Sequence, residues 1–89
     1  MIEREVEIVN RLGLHARAAA KLVHTAGGFQ SRVQIVNGGE EIDAKSILGI
    51  LLLAAGQGTT LTLRCEGPDE EEAMRAITTL IANRFDEES

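Results

Sequence analysis

The stretch "REVEIVNRLGLHARAAAKLVHTAGG", Arg4 to Gly28, changes its hydrophobic period partway along. In the first part apolar and charged residues alternate. Val6 and Ile8 point to one side and Glu5 and Glu7 to the other, the pattern of a half-buried strand. From Ala16 the repeat becomes helical: Ala16, Ala19, Ala20, Val23 and Ala26 fall at i, i+3, i+4, i+7 and i+10. Gly27-Gly28 then supplies a C-terminal stop. The stretch therefore reads strand, loop, helix, with His15 and Arg17 at the mouth of the helix.

The same two periods organise the rest of the chain. "SRVQIVN", Ser31 to Asn37, alternates with Val33 and Ile35 inward. Asn37-Gly38-Gly39 is a hairpin signal, and "EEID" returns as a short strand. Ser46 can cap a second helix running from Ile47 to about Ala54, in which Gly49 is a weak point. "TTLTLRCEG" sets Leu61, Leu63 and Cys65 against Thr60, Thr62 and Arg64, the clearest strand in the chain. In the last segment Pro68 stops that strand, Asp69 can cap a helix, and three glutamates sit at its positive end. Ala73, Ile77, Leu80 and Ile81 form its expected buried stripe, and "DEES" reads as a frayed tail. The order is β-α-β-β-α-β-α. It predicts an α+β fold, a two-layer open-faced sandwich with a four-stranded antiparallel sheet and three helices on one face.

A chain of 89 residues has room for one domain, residues 1–89. With no Trp or Tyr and only two Phe, its core must be aliphatic. A net charge of -5 argues against a nucleic-acid binder, which would show a basic face. Cys65 is the single cysteine, so no intramolecular disulfide can form and a reducing compartment is the simplest setting. The N-terminus is charged where a secretion signal needs an apolar run. "ILGILLLAA", Ile47 to Ala55, is nine residues long, against the roughly 20 that span a bilayer. A cytoplasmic protein without membrane insertion is expected. There is no CxxC, HExxH, GxGxxG or Walker A pattern, and two histidines nine residues apart do not suggest a metal site. No cofactor is expected.

What can do chemistry is "GLHAR". A helix mouth offers free N–H groups and a positive dipole end. An imidazole there keeps a nucleophilic nitrogen, and an anion attached to it would rest against the N–H donors. Arg17 adds a fixed positive charge and a fork for phosphate oxygens. Nothing nearby would activate water, so the set suits holding a phosphoryl group better than hydrolysing it. The bland alternative is that His15 is a plain helix cap and Arg17 a solvated charge, and the residue types alone leave both open. Cys65, alternating inward, reads as a buried structural thiol, and His24 as a surface residue.

"GLHARAAA" resembles the active-site signature of the HPr family, the histidine-containing phosphocarriers of the bacterial phosphotransferase system, including the nitrogen-related paralogue. "AKSILGILLLAAGQGT" is similar to that family's second-helix segment and "CEGPDEEEA" to the start of its last helix, so the likeness spans nearly the whole chain. The resemblance implies that His15 accepts a phosphoryl group on Nδ1 from phospho-enzyme I and passes it to a histidine of enzyme IIA. It implies that Arg17 assists and that the backbone N–H groups of Ala16 and Arg17 meet the phosphate. Ser46 matches a serine phosphorylated in many bacteria by HPr kinase/phosphorylase. Ile47, Leu48 and Leu51 match positions that dock on partners, while Ile50 and Leu53 read as core. The implied protein is a monomeric carrier without turnover of its own. The alternatives are a nitrogen-type or purely regulatory relative, and a small phosphatase using a phosphohistidine. One departure stands out: the family usually has proline after the arginine, and this chain has Ala18.

Overall fold

The alternating segments form strands and the helical-period segments form helices, in the predicted order. A computed structural model describes residues 1–89. The elements are β1 (Ile2–Glu7), α1 (Ala16–Gly27), β2 (Arg32–Asn37), β3 (Glu40–Asp43), α2 (Ile47–Leu53), β4 (Thr60–Glu66) and α3 (Glu70–Ala82). A short 3-10 turn (Arg84–Asp86) follows. The strands make one sheet in the order β1-β4-β2-β3, every pair antiparallel. In register, Val6 lies opposite Leu61, and Leu63 lies opposite both Arg4 and Ile35. Because side chains alternate, this register puts Val33, Ile35, Leu61, Leu63 and Cys65 on one face, where they are buried. The other face is open and charged, and on it Arg64 pairs with Glu3 at 2.6 Å and Glu41 at 3.3 Å. The helices cover the apolar face: α3 lies on β1 and β4, and α1 packs between α2 and α3.

The buried side of α1 differs from the expected stripe. Ala18, Ala19, Leu22 and Ala26 are buried, whereas Ala16 and Ala20 are exposed and Val23 is half-buried. With alanines all around the helix, periodicity alone does not choose a face. The larger Leu22 does, by filling the space under α3 and the sheet. In α2 the glycine has a packing reason: a Cβ at Gly49 would come within 3.0 Å of Ile42 Cγ2 on β3. Ile50 is fully buried and Leu53 half-buried, as expected of core positions.

Two expectations at the end of the chain need correction. Asp69 stands at the N-cap of α3 but makes no cap bond. Its carboxylate instead accepts from the Gln30 and Ser31 backbone N–H groups, each at 2.9 Å, and from the Ser31 hydroxyl. The loop after α1 presents three donors, more than the helix end could. These bonds, the Ser31 hydroxyl first and the Gln30 amide next, hold the Asp69 carboxyl below its ordinary value.

The tail is also not frayed. Arg84, Phe85 and Asp86 all take left-handed backbone conformations, with φ of 57°, 53° and 65°. Such residues cost on the order of 1–2 kcal/mol each. Part of the offset is Phe85, fully buried and the one aromatic side chain in the core. Lys21 adds a hydrogen bond from Nζ to the Phe85 carbonyl at 2.8 Å.

Candidate functional site

The loop between β1 and α1 is built to hold the helix mouth in place. Asn10 is completely buried, and its Nδ2 donates to the Gly13 carbonyl at 2.8 Å. Gly13 has φ of 68°, and a Cβ there would lie 2.5 Å from the Ala55 carbonyl oxygen. The same oxygen accepts from the Leu14 N–H at 2.9 Å. A glycine is therefore required twice over, by backbone angle and by close approach. The contact ties the loop to the segment just after α2, and so sets α2 beside the mouth of α1.

His15 is the N-cap of α1, extended at φ -76° and ψ 178°, and its side chain does no capping. Its carbonyl accepts the first helical bond, from the Ala19 N–H at 2.8 Å. The N–H groups of Ala16, Arg17 and Ala18 have no backbone acceptor. These unused donors are what a helix mouth offers to an anion. His15, Ala16, Arg17 and Leu12 line an open cleft of about 410 Å³ together with Glu87 and Ser89. Arg17 is exposed there and makes no ion pair. The structure thus places His15, Ala16 and Arg17 along one cleft.

Glu87 is the residue that sequence reasoning missed. One carboxylate oxygen meets His15 Nε2, and the other accepts from Asn10 Nδ2 at 3.1 Å. Partial burial pushes the Glu87 carboxyl up. The hydrogen bonds from His15 and Asn10 and the charges of His15 and Lys21 outweigh this, leaving it below the ordinary value. A carboxylate can only accept, so Nε2 carries the hydrogen, and in the neutral ring Nδ1 keeps the free lone pair. The available signal was Phe85, an isolated aromatic in an acidic tail, which had to be buried somewhere.

Ser46 is a real cap. Its Oγ accepts from the Gly49 N–H at 3.2 Å, and its side chain is half-buried. Ile47, Leu48 and Leu51 are 44%, 65% and 38% exposed, and Leu52, which was not predicted, is 75% exposed. Leu52 follows Leu48 by four residues, so helical spacing could have placed it on the same face. Cys65 is fully buried, and burial, aided by Glu70 and Asp69, pushes its thiol up and keeps it protonated. His24 is exposed on α1. No helix is long and apolar enough to cross a membrane.

The family model described as "PTS HPr component phosphorylation site" matches residues 2–83. The chain is 56% identical over 87 residues to phosphocarrier protein HPr of Cupriavidus necator, covering 98% of both. It is 47% identical over 88 residues to phosphocarrier protein NPr of Shewanella violacea, covering 99% of this chain and 97% of that one. A crystal structure of HPr from Thermoanaerobacter tengcongensis superposes with a TM-score of 0.96 at 45% identity over the full length of both chains.

Proposed function

This chain belongs to the HPr family of phosphotransferase-system phosphocarriers, and on that premise we propose that His15 is the phosphoryl carrier. His15 Nδ1 accepts the group from phospho-enzyme I and passes it to a histidine of enzyme IIA. The observation that carries this is the open helix mouth, where an imidazole with a free Nδ1 stands beside unused backbone N–H groups. The Ala16 and Arg17 N–H groups take the phosphate oxygens, and the Arg17 guanidinium offsets their charge. The exposed leucine-rich face of α2, Ile47, Leu48 and Leu51, is the docking surface for both partners. The carrier acts as a monomer of one domain, residues 1–89, in the cytoplasm.

Ser46 is the proposed regulatory site. A phosphate there adds roughly -1.5 to -2 charge at the start of α2. Its oxygens can still accept from the Gly49 N–H, so the helix keeps its cap. The added charge instead sits beside Ile47 and Leu48 and opposes docking.

Incubation with phosphoenolpyruvate and enzyme I should give an acid-labile, base-stable adduct on His15. Equal labelling of His15→Ala would end the proposal. A nitrogen-type role is the second reading, favoured by the likeness to NPr of Shewanella violacea. Challenging the labelled protein with sugar-type and nitrogen-type enzyme IIA separates the two.

A further inference from the structure

We infer that Glu87 is a positioning residue for phosphoryl transfer, acting through His15 from a folded C-terminal strap. The inference rests on the proposed role of His15. Three observations meet at this residue. Its carboxylate engages His15 Nε2, leaving Nδ1 as the attacking nitrogen. Its second oxygen is held by Asn10 Nδ2, and Asn10 is completely buried and also tied to the Gly13 carbonyl. The strap itself is held by buried Phe85, by the bond from Lys21 to the Phe85 carbonyl, and by Lys21 facing Asp86 at 3.7 Å. Three successive left-handed residues are spent to bring the carboxylate to the ring.

The chemical consequence follows from where charge develops. As Nδ1 attacks, its lone pair forms the new N–P bond. The bond from phosphorus to the donor's histidine nitrogen breaks, and its electron pair returns to that nitrogen. Nε2 keeps its proton throughout, so the His15 ring gains positive charge, and Glu87 already faces it. When the phosphoryl group moves on, the electron pair of the N–P bond returns to Nδ1 and the ring becomes neutral again, so the carboxylate favours loading of His15 and release is driven by the acceptor. The arrangement parallels the carboxylate that orients and supports the imidazole of a catalytic triad.

Glu87→Ala and Glu87→Gln test this in the full-length protein, with thermal melts to check the fold. Rapid-quench labelling from phospho-enzyme I gives the transfer rate, and ¹⁵N spectra of the unphosphorylated His15 ring give the tautomer. Glu87→Ala should still label on His15, but roughly 10- to 100-fold more slowly, with a mixture of ring tautomers. Glu87→Gln should restore the Nε2–H tautomer, since its amide oxygen still accepts, but not the rate, since it has no charge. A Glu87→Ala protein with wild-type rate and wild-type ring spectrum overturns the proposal. If the wild-type chain takes no label at all, the carrier role fails instead, and the ring spectra alone then decide whether Glu87 sets the tautomer.

Discussion

Ala18 is the third residue of α1, completely buried, and its N–H has no backbone acceptor. Ala18→Pro therefore breaks no helical hydrogen bond, because the first one begins at the Ala19 N–H. Proline is tolerated in a first helical turn for this reason. Its restricted φ lowers the entropy of the unfolded chain, worth about 0.4–1 kcal/mol where the native angle is compatible. In a domain of this size about 1 kcal/mol moves the melting temperature by about 4–8 °C, so a rise of about 2–8 °C is expected. A ring too large for the buried site would cost about 1–3 kcal/mol and reverse the sign. Transfer should stay within about twofold of wild type, because the proposed cradle uses the Ala16 and Arg17 N–H groups. Calorimetric melts and rapid-quench transfer measure the two effects separately. A fall in melting temperature would refute the packing argument, and a tenfold loss of transfer would place the Ala18 N–H inside the cradle.

Two further outcomes follow. Phe85→Ala should remove a packing contribution of about 3–5 kcal/mol, partly returned as released backbone strain, and should free Glu87 from His15; His15 ring spectra check this, and an unchanged ring spectrum would mean that the strap is not anchored by the phenyl group. Because the Asp69 carboxyl is held below its ordinary value, its contribution to stability is complete above that ordinary value and is lost as pH falls through the lowered one. Melting temperature against pH should thus show a shallower acid limb for Asp69→Asn than for wild type, and identical limbs would remove Asp69 from the account.

The order of elements was written in the sequence because period two and period 3.6 are local properties. The alternation of Leu61, Leu63 and Cys65 requires no knowledge of the partner strand, and the hairpin at Gly38-Gly39 is set by two residues. The helix mouth with His15 and Arg17 was legible for the same reason: a cap is a junction between neighbouring residues, and the likeness of "GLHARAAA" to a known family could be read straight from the chain. Other features depended on which distant atoms fill a space. The buried face of α1 could not be read from a run of alanines, and Leu22 settles it only against α3 and the sheet. Asp69 looked like a cap because the helix start is close in sequence, whereas its true donors at Gln30 and Ser31 are 38 to 39 residues away. Glu87 lies 72 residues from His15. Its tail resembles any acidic chain end until a single phenyl group is buried. The sequence by itself determined the strands, the helices and the chemistry at the mouth of α1, because these follow from adjacent residues. Only the tertiary structure decided which carboxylate meets His15, because that depends on how the chain spends the burial of Phe85 to close a long loop.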